Sequence, residues 1–208
     1  MTVPIRLAVL ASGGGRTLQS FIERIAEGKL NATIEHVIVS KPNVQALERA
    51  RNAKIETTVV SPQPAEASSY VIFERFRQAK VDLVLMAGWI HLLPIPDDFL
   101  GRVMNIHPSL IPAFCGKGWY GMKIHTAAIE RGVKVSGCTV HFVDNEYDHG
   151  PIILQKVVPV LDDDWPERLA ARVFDAECEA YPEAVKLFQD RTLKIDGRRV
   201  VHATSQSE

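Results

Sequence analysis

The chain has 208 residues, enough for one domain with a real hydrophobic core. Its 24 Lys and Arg nearly cancel 25 Asp and Glu, and no basic block of five or more residues occurs, so it carries no electrostatic footprint for nucleic acid or a membrane surface. No apolar run approaches the ~18 residues that cross a bilayer, and the three cysteines (Cys115, Cys138, Cys178) form no CxxC pair, a usage expected of a reduced, cytoplasmic protein rather than a disulfide framework.

Met1–Arg6 lacks the apolar stretch of a signal peptide and runs straight into a strand, Ile5–Leu10. Three glycines, Gly13 to Gly15, separate it from an amphipathic helix over Leu18–Ala26. A strand over Thr33–Val39, a helix over Ala46–Asn52 and a strand over Ile55–Val60 follow. A Ser/Pro/Ala loop then leads to a helix over Ser69–Lys80 and a continuous apolar strand, Val81–Met86, of the kind buried on both faces of a parallel sheet. A short helix over Asp97–Leu100 precedes the strand that carries Asn105.

This alternation predicts an α/β fold. Its Rossmann-like N-terminal half is an open, mostly parallel sheet with helices on both faces, and ligands lie outside the carboxyl ends of the strands. After residue 110 the pattern changes. A Gly-rich loop, Cys115–Gly121, leads to a helix over Ile124–Glu130 and an antiparallel strand pair, Val135–Val143 and Ile152–Val160. A long helix, Trp165–Gln189, and a terminal hairpin turning at Asp196-Gly197 complete an antiparallel C-terminal extension. Asp164 is the expected N-cap of that helix. With no repeat or linker, residues 1–202 read as one domain, and 203–208 as a frayed tail.

Three loops carry chemistry. Ser12-Gly13-Gly14-Gly15-Arg16-Thr17 joins a strand to a helix N-terminus, where backbone N–H groups and the helix dipole favour an anion. A tight turn with no ligand is the bland alternative, and phosphate binding is favoured. Leu18 stands where a dinucleotide fingerprint wants Gly, and the Lys of a Walker loop is missing, so the loop suits a mononucleotide-like phosphate. Asn105 and His107 alternate on one strand and so share a side, and Pro108 ends that strand. Asp148 lies in the Asp148-His149-Gly150-Pro151 turn, where an Asp before Gly is as often only a turn former. The amide, imidazole and carboxylate could together polarise a carbonyl and move a proton.

Other residues support plainer readings. Seven histidines, with His125, His141 and His149 as candidates beside His107, show no ligand spacing, so no metal is expected. Cys115 has no His-Asn partner motif and reads as a small loop residue rather than a nucleophile. Trp89 is either a core anchor or a wall of a ligand slot.

Taken in order, Ala11–Gly15 with Leu18-Gln19, Ala87-Gly88-Trp89, Asn105–Pro112, Thr139–Val143, Asp148 with Gly150–Gln155, and Glu177 before Tyr181-Pro182 resemble the phosphoribosylglycinamide formyltransferases of the formyltransferase superfamily. Asn105–Leu110 marks the superfamily. The glycine loop, and the lack of room for the extra domains of the tRNA formyltransferases and formyltetrahydrofolate hydrolases, single out this group.

The resemblance implies formyl transfer from 10-formyltetrahydrofolate to the amine of glycinamide ribonucleotide in purine synthesis. Asn105, His107 and Asp148 would be catalytic. Gly13, Gly14, Gly15, Arg16, Thr17 and Glu177 would hold the ribonucleotide. Ile90, His91, Leu92, Leu93, Asn105, Asp144 and Tyr147 would line the folate slot. The partners implied are these small molecules, with no metal, nucleic acid or membrane, in a monomer or homodimer.

Arg16-Thr17, His91 and Ala67 depart from residues common in the family (Ser-Asn, and Arg at the latter two places), which bears on phosphate geometry and folate-tail affinity. Lys117, in a loop longer than usual, could restore a cation. A hydrolase, another amine acceptor, or a non-catalytic phosphate or folate binder are the alternatives.

Overall fold

The computed structural model describes residues 3–202, so the expected tail at 203–208 lies outside the described residues. In chain order the elements are β1 (Ile5–Ala11), α1 (Arg16–Ala26), β2 (Ala32–Val39), α2 (Gln45–Asn52), β3 (Glu56–Val59), α3 (Ala65–Gln78) and β4 (Leu83–Met86). A 3-10 turn, Asp97–Phe99, leads to β5 (Val103–His107), α4 (Met122–Arg131), β6 (Val135–Phe142), β7 (Ile152–Pro159), α5 (Pro166–Gln189), β8 (Leu193–Asp196) and β9 (Arg199–His202). The strands form an open sheet of order β3-β2-β1-β4-β5-β6-β7-β9-β8, parallel through its N-terminal strands, with antiparallel β6–β7 and β8–β9 pairs. The α/β class is as the sequence indicates. The chain divides into two compact units, Met1–Asn105 with Val143–Asn145, and Ile106–Phe142 with Glu146–Glu208.

In the first unit the chain steps from β1 to β2 to β3, then returns to place β4 on the other side of β1. Right-handed crossovers therefore set α1 and α2 on one face and α3 on the other. Strand alternation fits this. Ala8, Leu10, Ile38, Val84 and Met86 pack with Ile72, Phe73 and Phe76 of α3, while Leu7, Val9, Val37, Val39, Leu83 and Leu85 turn to the opposite face and are equally buried. The reversal between β1 and β4 is the topological switch point where such sheets open for ligands.

Helix α3 begins four residues before the expected Ser69. Ser68 looks like a loop residue in the sequence, but the hydroxyls of the helix's two serines bond inward: Ser68 donates to the Pro64 and Ser61 carbonyls, and Ser69 to Pro94. Lys80, at φ 50°, ends the turn that follows the helix, so the next strand starts at Leu83 rather than Val81.

In the second unit α5 lies against β6 and β7, presenting Leu169, Ala170, Val173, Ala176, Ala180, Tyr181, Ala184 and Val185 at helical spacing as its buried stripe. Asp164 is not its N-cap. That place is Trp165, with no side-chain cap and Pro166 in the first turn. The Asp164 carboxylate instead accepts the Leu161 N–H and a two-pronged Arg172 guanidinium at 2.7 and 2.9 Å. A charged guanidinium donor outcompetes the uncharged N–H groups of the helix's first turn for the carboxylate.

Candidate active site

The glycine loop leaves β1 with Ser12 N–H donating to Gly88 O at 3.0 Å, so the loops that follow β1 and β4 adjoin in the first unit. Gly15 is the N-cap of α1 in the left-handed region at φ 67°, and a Cβ there would sit 2.7 Å from Ala46 Cα and Cβ. Only glycine fits. Helix α1 has no side-chain cap and no acidic residue in its first turn. Its opening N–H groups and positive dipole end therefore suit an anion. Arg16 is exposed and Thr17 half-buried at this point. Ser12 Oγ is buried, with no hydrogen-bond partner among the described residues.

After β4, Trp89 is 5% exposed and packs in the core with Leu93, which settles the choice between anchor and slot wall in favour of anchor for its ring. Its indole Nε1, however, is buried without a partner among the described residues. Leu93 faces the core, so its side chain is not available to a folate slot and only its backbone could line one. Ile90 is exposed, and His91 and Leu92 are half-buried. Burial, then the nearby Lys41 charge, pushes the His91 imidazole below its ordinary value. The ring thus stays neutral where an arginine would be a fixed cation. Ala67 lies in α3.

Asn145, which no sequence motif marks, accepts the Ile95 N–H at 2.8 Å and ties the 143–145 segment to the end of this loop. Asp144, beside it, is half-buried. Asn105, half-buried, closes the register of β5 against β4 opposite Met86.

His107, two residues further along β5, belongs to the second unit and is 4% exposed. Its Nε2 lies 2.9 Å from the Phe114 carbonyl. A carbonyl only accepts, so Nε2 carries a hydrogen, and Nδ1 carries one as well only in the imidazolium. Nδ1 faces Asp148 Oδ2 at 3.5 Å. Asp148 sits at φ 52°, and the same Oδ2 accepts the Gly116 N–H at 2.8 Å. His141 stands on the other side of the carboxylate, with Nε2 3.9 Å from Oδ1 and Nδ1 donating to Phe142 O at 2.8 Å. The structure thus brings His107 and Asp148 together and adds His141, which alternation alone marks as a structural residue.

The backbone between His107 and the Gly-rich loop is fixed by side chains. Ser109 Oγ donates to Ala113 O at 2.6 Å. Thr139 Oγ1 donates to Ser109 O at 2.7 Å and accepts the Ile111 N–H, and Gln155 Nε2 reaches both Thr139 Oγ1 and Ile111 O. In the sequence Thr139 and Gln155 carry only the family resemblance; in the structure they hold this corner.

Cys115 is half-buried, its thiol donates to Pro112 O, and burial followed by the Asp148 charge pushes it up, against a nucleophilic role. Lys117 is exposed in the same loop, Tyr147 is half-buried, and Glu177 is a carboxylate on the buried stripe of α5. With burial as the larger cause, Glu177 helps push the Cys138 thiol up to about 12, which places the carboxylate near β6. His149 pairs with Arg198 and His125 is buried in α4, and among the described residues no three His, Cys, Asp or Glu group as metal ligands.

The family model described as formyl transferase matches residues 5–185. A chloroplastic phosphoribosylglycinamide formyltransferase from Vigna unguiculata is 41% identical over 186 residues, 87% of this chain and 60% of that protein. The chain therefore spans less than two thirds of that relative. The solved glycinamide ribonucleotide transformylase 1 of Symbiobacterium toebii is 39% identical, with a TM-score of 0.85 over 97% of this chain and 95% of its own. A formyltetrahydrofolate deformylase from Burkholderia mallei shares the fold more distantly, at 26% identity and a TM-score of 0.80 over 96% of this chain and 70% of its own.

Proposed function

The chain belongs to the formyl transferase family, among its phosphoribosylglycinamide formyltransferases, and from that premise we propose that it moves the formyl group of 10-formyltetrahydrofolate onto the amine of glycinamide ribonucleotide. The observation that carries the reading is the buried His107 held between the Phe114 carbonyl and the Asp148 carboxylate, on the strand that bears Asn105. A binder has no need of such a proton-handling pair.

In this account the amine attacks as the neutral base, a form well represented near neutrality for a group titrating at about 7.7–8.0. Asn105 donates its amide N–H to the oxygen that gains charge. Protonated His107 exchanges the Phe114 carbonyl for the same oxygen and donates Nε2–H to it. Asp148 supplies the counter-charge to the imidazolium and takes up the proton that the amine releases. Collapse of the tetrahedral centre then breaks its bond to the folate nitrogen, which leaves with that proton as the carbonyl re-forms on the new amide. No side chain is acylated, and no metal enters any step. Gly13, Gly14, Gly15, Arg16 and Thr17 hold the phosphate, and Glu177 holds the glycinamide end. The backbone of Ile90, His91, Leu92 and Leu93, with Asn105, Asp144 and Tyr147, lines the folate slot, where a mostly apolar wall with a few backbone donors suits a flat heterocycle.

The proposal extends to residues 1–202 as one formyltransferase domain, acting on small molecules in the cytoplasm as a monomer or homodimer. The family match over residues 5–185 supports the first point. No helix among the described residues is long and apolar enough to cross a membrane.

The test is release of deformylated folate with and without glycinamide ribonucleotide. Release that depends on the ribonucleotide is the expected result. Release at the same rate without it would identify a hydrolase instead.

A further inference from the structure

The carbonyls of the glycine loop are gripped from α2. Gly13 O accepts the Ala46 N–H at 3.2 Å, and Gly14 O accepts Arg49 Nε–H at 2.9 Å. A trans peptide points its N–H away from its C=O, and neither of these peptides is among the cis bonds of the chain. With both carbonyls turned towards α2, the N–H groups of Gly14 and Gly15, in the same two peptide planes, are turned to the opposite side.

Arg49 does more than close one bond. It is half-buried, and its NH1 donates to Gln19 Oε1 at 3.2 Å while Gln19 N–H donates to Gly15 O at 2.9 Å within α1. One rigid guanidinium fork thus ties the loop to the first turns of the helix it feeds. Ser12 Oγ, buried and unpartnered among the described residues at the other end of the loop, is an independent sign that a polar ligand group belongs here.

We propose that Arg49 is a positioning residue for the substrate phosphate: by holding Gly14 O and Gln19 in one fork it fixes the direction of the Gly14 and Gly15 amides that bind the anion. This rests on the phosphate assignment made above. Arg49 acts through the backbone and touches neither reacting atom. Its loss should therefore alter ribonucleotide binding and leave the chemical step alone. A merely structural tie between two helices would lower stability, or all kinetic constants together.

The experiment compares the full chain with R49M, R49K and Q19L. It reads kcat, both Michaelis constants, and the dissociation constant of inorganic phosphate measured directly by calorimetry. For R49M the expected result is a rise of about tenfold in the ribonucleotide KM and the phosphate Kd alike, as the two amides lose their fixed direction. The folate KM and saturating kcat stay as in the parent. R49K keeps the charge without the fork and should recover little. Q19L should shift the same two constants by a smaller factor, and it serves if R49M does not fold.

An unchanged phosphate Kd in a folded R49M or Q19L, a fall in kcat at constant KM, or full recovery in R49K would each overturn the proposal. If the unsubstituted chain binds no phosphate, the phosphate assignment itself fails and Arg49 falls with it. Phosphate binding that is intact in the parent and unaltered in the variants removes Arg49 alone.

Discussion

His107 has its Nε2 on a carbonyl and its Nδ1 towards a carboxylate, so its protonated form is the one for which both nitrogens are matched. That pairing makes the roles of the trio separable by substitution. Asn105→Ala removes a donor to the developing oxyanion and should cut kcat by a factor of ~10²–10³. His107→Ala should remove most turnover. Asp148→Asn should do the same, because an amide supplies no charge to the imidazolium. Steady-state kinetics with circular dichroism as the folding check reads all three; turnover near the parent value in a folded His107→Ala would remove the residue from the mechanism.

The identities of these side chains were legible in the sequence, since Asn105 and His107 alternate on a short strand and Asp148 stands in a turn. What could not be read was the company they keep. His141 reads as an ordinary strand residue; it stands 3.9 Å from Asp148, beside a register shift between Val140 and His141 that no alternation pattern encodes. Leu93 and Trp89 were legible as apolar, but only packing shows that both rings or branches go to the core.

Between elements, the junction of β1 with α1 is the most constrained. Gly15→Ala would force a left-handed φ on a residue whose new methyl meets Ala46 at 2.7 Å, with backbone as the obstacle. A stability loss of about 1–3 kcal/mol should follow, read by chemical denaturation, together with a raised ribonucleotide KM. An unaltered KM would place the phosphate elsewhere.

The start of α5 gives a prediction of a different kind. Hydrogen bonds from Arg172, ahead of the Leu161 N–H, hold the Asp164 carboxyl down at about 2 against an ordinary 3.8. A depressed carboxylate stabilises the fold above its unfolded pKa, and that contribution is lost as the pH falls through the folded value. Asp164→Asn should thus lower Tm by about 2–4 °C at neutral pH. The gap to the parent should narrow below about pH 4 and close near pH 2. A gap that stays constant down to pH 2 would deny the ion pair its role.

Element types followed from periodicity, whereas the starts of α3, β4 and α5 did not. Ser68 of α3 reads as loop until its bonds to carbonyls are seen, and Asp164 reads as a cap until Arg172, eight residues on, claims it.

At the scale of the chain, composition bounded the answer without giving it: near-zero net charge and three cysteines with no CxxC spacing leave most enzyme classes open. The α/β alternation gave the class, and the return of the chain from β3 to β4 beyond β1 gave the switch point flanked by the glycine loop and Trp89. The collinear run of motifs carried the family. Fold alone does not separate a transferase from a hydrolase, as the shared architecture of the B. mallei deformylase makes plain. The central claim is therefore chemical: the formyl group passes directly from the folate to the amine.

The most direct measurement follows carbon-13-labelled formyl groups from 10-formyltetrahydrofolate by NMR of the small molecules and mass spectrometry of the protein. Direct transfer predicts one labelled formyl amide on glycinamide ribonucleotide for each folate released, with no label on the chain at any time. Label collecting as free formate, or on the protein itself, would contradict it.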